Sequence, residues 1–163
     1  MSAPSVAQAL LDHWHSWGVT TLFAIPGAQV DGLLMEAASD GRFQIILAAH
    51  EQGAGYMADG FARLSGVPGI VIAINGPGAT NLTTAAITAQ ADHSPVLFLT
   101  GDAPAVLAGY GGFQGSDPHG SNPNPVLKAA LTNAISITTP DILPTALRLS
   151  ERLMTGPAPG PLY

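Results

Sequence analysis

The sequence predicts an α/β domain: an open, mostly parallel sheet with helices on both faces. Two observations carry this. Strand-like and helix-like stretches alternate at short intervals. The strand-like runs are continuously apolar, as expected of strands covered on two faces rather than one. A third observation bears on use. Two apolar runs end in a lone carboxylate, Glu51, and in the turn Gly76-Pro77-Gly78. The carboxyl ends of parallel strands are where such sheets bind ligands.

Taken in order, apolar residues at Val6, Ala9, Leu10, Trp14 and Trp17 have helical spacing, and Gly18 stops that helix. Residues 20–25 read as a short buried strand, turned by Pro26-Gly27. Residues 30–39 return as a helix. Residues 43–49 form the second strand, and 53–66 the helix after it. Gly66-Val67-Pro68-Gly69 makes a tight turn into a third strand over 70–74. A helix over 79–92 and a strand over 96–100 follow. Residues 126–137 are mixed, with a strand expected near 134–138. Asp141 is a suitable N-cap for a helix over 142–154.

At 163 residues the chain reads as one domain, 1–163. Within it, residues 103–124 are rich in Gly, Pro, Ser and Asn and lack periodicity, which predicts a flexible active-site loop. Residues 155–163 read as a C-terminal linker or the start of a last strand.

Composition narrows the function classes. Charged residues are 10% and hydrophobic residues 47%. So few charges predict that much surface is covered by a partner. The net charge of −6 with five Lys plus Arg offers no basic patch for nucleic acid. There is no cysteine, hence neither a disulfide framework nor thiolate chemistry. The N-terminus lacks the basic and apolar regions of a signal peptide. No apolar run approaches the roughly 18 residues of a membrane span. The expectation is a cytoplasmic protein with no membrane or nucleic-acid partner.

Taken alone, Glu51 reads either as an early-helix acid near the positive end of a helix dipole or as a ligand-facing carboxylate. Gly76-Pro77-Gly78-Ala79-Thr80-Asn81 lacks the Lys and Ser/Thr of a Walker turn and the GxGxxG spacing, which argues against a nucleotide-binding module. His50 reads as a strand-end histidine without a proton-transfer role. His13 and His15 lie two apart, on different helix faces, and with Asp12 make a poor metal site. No metal-ligating set is expected in this chain. His119 reads as solvated.

The motifs together decide between these readings. Gly18 through Gly27, His50-Glu51-Gln52-Gly53-Ala54, Met57-Ala58-Asp59-Gly60-Phe61-Ala62-Arg63, the Gly-Pro-Gly turn, Asp92-His93-Ser94-Pro95-Val96, Thr100-Gly101-Asp102 and Phe113-Gln114 follow one another in order. In that order they resemble the pyrimidine-binding (PYR) domain of thiamine-diphosphate enzymes, the acetolactate synthase and 2-oxo-acid decarboxylase superfamily. The resemblance implies that Glu51 is catalytic and binds the cofactor. It would contact N1′ of the aminopyrimidine ring and favour the imino tautomer, whose nitrogen takes the proton from C2. It implies that Pro77 and Asn81 also bind the cofactor, with Asn81 anchoring the turn. Pro26, Gly27, Ala28, Phe113 and Gln114 would face the substrate, a small 2-oxo acid. Gly115 stands where the family usually has Glu after Phe-Gln, and Ala49 where it often has Arg before His-Glu. These departures bear on the substrate, not on the fold.

The family binds the diphosphate and Mg²⁺ through a Gly-Asp-Gly motif followed by Asn. No such motif occurs here, and Gly101-Asp102-Ala103 lacks the third glycine. The resemblance therefore implies thiamine diphosphate shared with a separate subunit or domain that binds Mg²⁺, most simply in a dimer of heterodimers. The chain would be the small subunit of a decarboxylase or carboligase, comparable in size to that of the two-chain sulfopyruvate decarboxylases. The alternatives are a non-catalytic assembly or regulatory module, or the N-terminal fragment of a full-length acetolactate-synthase-like enzyme.

Overall fold

A computed structural model describes residues 4–102, Tyr110 and 124–163. Four parallel strands form one sheet in the order β2-β1-β3-β4: β1 Thr21–Ala24, β2 Gln44–Leu47, β3 Gly69–Ala73 and β4 Val96–Thr100. The helices are α1 Val6–Ser16, α2 Asp31–Asp40, α3 Glu51–Ser65, α4 Pro77–Ala91, α5 Asn124–Ala130 and α6 Leu143–Thr155. The register sets Ala24 opposite both Leu47 and Ile72, so β1, β2 and β3 end level with one another.

Two apolar layers flank the sheet. On one face Leu11, Trp14, Leu34, Ala37 and Met154 bring α1, α2 and α6 onto Leu22, Ala24, Ile70 and Ile72. On the other, Ala54, Ala58, Leu82, Ala85 and Ala89 of α3 and α4 pack against Phe23, Val71 and Phe98. Fully buried residues such as Leu22, Ile70 and Ile72 contribute about 1.5–3 kcal/mol each by leaving water. The small residues of α3 and α4 let those helices approach closely. A Cβ on Gly55 would lie 2.6 Å from the Ala85 Cβ.

Local chemistry accounts for the helix ends. Ser5 caps α1, its hydroxyl accepting the Gln8 N–H at 3.0 Å. Gly41 and Gly66 close α2 and α3 with positive φ, a conformation that glycine adopts without strain. The surface is tied by ion pairs. Arg42 joins Asp12 of α1 to Asp40 of α2, and Arg63 joins the largely buried Asp59 of α3 to Asp92 at the end of α4.

Three expectations need correction. No strand forms at 134–138. The segment is irregular, though the Ile135 N–H donates to the Tyr163 carbonyl and the Tyr163 N–H to that of Asn133. Only two residues, Leu162 and Tyr163, lie beside it, too few to build a ladder. Asp141 caps no helix: it lies inside a 3₁₀ turn, Pro140–Ile142, which Thr139 precedes without a side-chain cap, and α6 begins at Leu143. Prolines at 140 and 144 open the two turns instead, their fixed φ matching the first helical positions. Finally, the stretch read as mixed begins with a helix, α5, where Leu127 anchors against α4.

Candidate functional site

The loop leaving β1 leads to α2 on one face. The loops leaving β2 and β3 lead to α3 and α4 on the other. Connections thus diverge at the carboxyl ends of these three strands, the topological switch point where open α/β sheets bind ligands. Glu51, the turn 76–78 and the loop 25–30 all lie there.

Glu51 is the first residue of α3. His50 fixes the helix start, its Nδ1 accepting the Gln52 N–H at 3.1 Å. That bond gives His50 a capping role. The Glu51 side chain is half-buried, and its Oε2 accepts a 2.9 Å hydrogen bond from Asn81 Nδ2 on α4. Asn81, on the second turn of α4, directs its amide to the carboxylate rather than to the turn.

Gly76 adopts φ +68 and ψ −120, a conformation closed to residues with a Cβ, and Pro77 then opens α4 at its first position. Gly78 faces Glu51. A Cβ there would lie 3.6 Å from Glu51 Oε1 and 3.1 Å from Ile74 Cγ1. The buried glycine lets the turn pack against Ile74 and Ala73 beside the carboxylate. A Cβ on Gly27 would collide with the side chain of Ile74, so the β1 loop and the β3 turn close on the same isoleucine. Gly27 is held by its N–H donating to Asp31 Oδ1 at 2.8 Å, while Pro26 and Ala28 are exposed. Pro77 is exposed beside them.

Sequence reasoning missed the frame behind this edge. The Asn75 N–H donates to Gln29 Oε1 at 2.7 Å, and Asn75 Nδ2 donates to Asp102 Oδ1 at 2.9 Å. These bonds join the carboxyl ends of β1, β3 and β4. The Gly101 backbone lies so close to Gln29 that an added Cβ would be 2.6 Å from the Gln29 Cβ. Asn75 was visible only as the residue before the Gly-Pro-Gly turn, and Gln29 gave no signal. Phe113, Gln114 and His119 lie outside the described residues, as does nearly all of 103–124. Among the described residues no group of three or more His, Asp or Glu side chains could hold a metal ion.

The chain matches the family model described as the thiamine pyrophosphate enzyme N-terminal TPP binding domain over residues 4–121. The chain belongs to that family. It is 38% identical over 157 residues to a probable acetolactate synthase large subunit of Methanocaldococcus jannaschii, covering 96% of this chain and 26% of that one. Over 151 residues it is 32% identical to the large subunit of acetolactate synthase isozyme 1 of Escherichia coli, covering 93% and 27%. Over 96 residues it is 44% identical to a probable 2-ketoarginine decarboxylase of Pseudomonas aeruginosa, covering 59% and 17%. The chain spans about a quarter or less of the length of these relatives. Among the described residues no helix is long and apolar enough to cross a membrane.

In a thiamine pyrophosphate family member, the arrangement around Glu51 fits the aminopyrimidine part of the cofactor. A single carboxylate has one oxygen fixed by an amide. Its other oxygen lies beside Gly78, 3.6 Å from where a Cβ would be. Such a group can accept a hydrogen bond from a ring nitrogen or share a proton with it.

Proposed function

We propose that this chain supplies the aminopyrimidine half of a thiamine diphosphate site in a 2-oxo-acid decarboxylase or carboligase of acetolactate-synthase type. The observation that carries the reading is the Asn81–Glu51 hydrogen bond beside Gly78, at the carboxyl ends of β2 and β3. Thiamine diphosphate, when bound, supplies the electron sink for breaking or making the bond next to the substrate carbonyl. Glu51 holds a proton shared with N1′ of the aminopyrimidine. Asn81 fixes the carboxylate rotamer through Oε2, which would leave Oε1 to meet the ring without a conformational search. Pro77, exposed beside Glu51, would pack against the ring. Pro26, Gly27 and Ala28 face the 2-oxo acid.

The diphosphate and Mg²⁺ belong, in this reading, to a second domain or subunit carrying Gly-Asp-Gly and Asn. The surface of α3 supports a facing partner. Gly53, Met57, Gly60 and Leu64 recur at helical spacing, and Leu64 is 92% exposed. A Cβ added to Gly53 or Gly60 would touch nothing within 4 Å. Packing inside this chain thus does not require either glycine, although a helix-interior glycine costs about 0.5–1 kcal/mol relative to alanine. A facing surface that approaches α3 closely, beside Glu51, accounts for both. The partner is a separate subunit in a dimer of heterodimers, or a later domain of a longer enzyme. The second arrangement is favoured by the 26% coverage of the M. jannaschii relative.

The test is to titrate thiamine diphosphate and Mg²⁺ into the chain alone and into the chain mixed with a domain carrying the diphosphate motif. The mixture should bind the cofactor, turn over a 2-oxo acid and bury roughly 2,000 Å² or more at its interface. The chain alone should hold no cofactor at micromolar concentration. Tight binding by the chain alone, or a motif-bearing domain fully active without it, would overturn the reading.

A further inference from the structure

Helix α3 has a weak start. Gly53 and Gly55 lie in its first turns, and glycine inside a helix is less favourable than alanine. The first four N–H groups of any helix have no partner within it. The start of α3 therefore leans on its cap. That cap is His50, whose extended backbone, at φ −159 and ψ 146, leads the chain into α3. Its Nδ1 accepts the Gln52 N–H at 3.1 Å. Ser, Thr, Asp and Asn are the preferred residues at this position. An imidazole differs from them in its protonation chemistry. To accept at Nδ1, the ring must be neutral and carry its proton on Nε2. A proton on Nδ1 makes that nitrogen a donor, and a bond to the Gln52 N–H becomes impossible. His50 is exposed, so its ring exchanges protons with bulk water.

We propose that His50 is a positioning residue for Glu51: its neutral Nε2–H form holds the first turn of α3 in place, and protonation releases that turn. Glu51 follows His50 directly, and its Oε2 accepts from Asn81 on α4 at 2.9 Å. The first bond orients the helix start and the second the carboxylate. Without the first, the second has no fixed origin. Protonation also places a positive charge at the positive end of the helix dipole, which is unfavourable. The opposing attraction is to the Glu51 carboxylate. Between partly exposed side chains such a pair is weak and screened by salt, and Glu51 Oε2 is already engaged. The other elements at this edge bring two carboxylates. Asp31 of α2 accepts the Gly27 N–H, and Asp102 after β4 accepts from Asn75 Nδ2. Residues 25–30, 48–50 and 74–76 contribute no Lys or Arg, and residues 77–84 of α4 no ionisable side chain. The consequence for chemistry rests on the thiamine reading. The cap and its dependence on protonation do not.

The test is NMR on the chain alone, with ¹⁵N-labelled imidazoles, over the range from about pH 8 to about pH 5 in which histidine side chains change charge. At the upper end the His50 ring should be the Nε2–H tautomer. As the ring takes up its proton, the Gln52 amide and the Asn81 side-chain amide should shift along the same titration curve. Exchange at the Gln52 amide, taken relative to its unstructured rate, should rise about fivefold, the size of a lost N-cap. His50→Asn keeps an acceptor that does not titrate, so both signals should stay constant across the range. His50→Ala should show, already at the upper end, the signals that wild type reaches at the lower end. An Nδ1–H tautomer at the upper end would overturn the proposal. So would an Asn81 amide that does not follow the His50 curve, or one that moves equally in His50→Asn, or a first turn in His50→Ala as protected as in wild type. No cofactor is present in this experiment, so its failure leaves the thiamine reading untouched.

Discussion

The carboxyl edge of β1–β3 and the lateral edge of β4 are built on opposite principles. At the first, polar side chains make long-range bonds: Asn81 to Glu51, Asn75 to Asp102, and Gln29 to the Asn75 backbone N–H. Glycines there bring backbone and side chains to closest approach. At the second, the groove beside β4 has mainly apolar walls and floor, and the polar groups on offer are mostly backbone. The first edge is arranged to hold a small polar molecule by side-chain chemistry. At the second, the described backbone bonds are those of Leu162 and Tyr163 to β4 and to Asn133 and Ile135. The half-buried Glu51 lies at an open surface because, in the reading above, a partner closes it.

The largest expected effect separates chemistry from fold at the first edge. Glu51→Gln should lower turnover of the assembled enzyme by about a hundredfold or more, the usual scale of a lost proton-transfer group. Its Tm should match wild type, since glutamine still accepts from Asn81. Near-normal turnover with cofactor bound would make Glu51 a helix-start acid and no more.

The second prediction contrasts the sheet centre with its open edge. Leu22→Ala on β1, at a fully buried site, should cost about 2–5 kcal/mol in denaturant unfolding. Leu99→Ala, half-buried along the groove, should cost about 1 kcal/mol or less, because its side chain is only partly removed from water. Equal costs would mean that the β4 edge is already closed.

Much of this was legible in the sequence. The apolar strand runs and a helix over 53–66, observed as Glu51–Ser65, were legible, and the motif order located the carboxyl edge. What stayed hidden depends on distance along the chain. The Asn75–Asp102 and Gln29–Asn75 bonds join residues 27 and 46 positions apart, and nothing local marks them. The reading of 134–138 failed for a related reason. Its β-branched residues fit a strand, but a strand needs a paired neighbour, and the described backbone bonds to it are only the two with Tyr163. Asp141 failed as a cap because the neighbouring prolines start the turn instead.

A smaller effect probes the turn at the first edge. Gly76→Ala should cost about 1–3 kcal/mol, the strain of forcing a Cβ into positive φ. The same exchange at Gly60, with open space at its Cβ, should be neutral or stabilising in the isolated chain. Thermal melts of both variants check this.

The smallest effect concerns pH, far from both edges. The Arg42 guanidinium beside Asp40 holds its carboxyl down at about 2, below the ordinary 3.8. A depressed carboxylate stabilises the fold above its unfolded pKa and loses that contribution as pH falls through the folded one. The Asp40 contribution should therefore be complete above about pH 4 and fade toward pH 2. Asp40→Asn should flatten the stability profile in that window only.

The central claim is that Glu51 acts on the aminopyrimidine, and proton exchange at C2 of the bound cofactor reads that action without any substrate. In the assembled enzyme, quenched-flow deuterium exchange followed by NMR should show C2 exchanging about a hundredfold or more faster in the wild type than in the Glu51→Gln variant. Asn81→Ala should fall between them. Equal exchange rates in wild type and Glu51→Gln, with cofactor fully bound in both, would contradict the account.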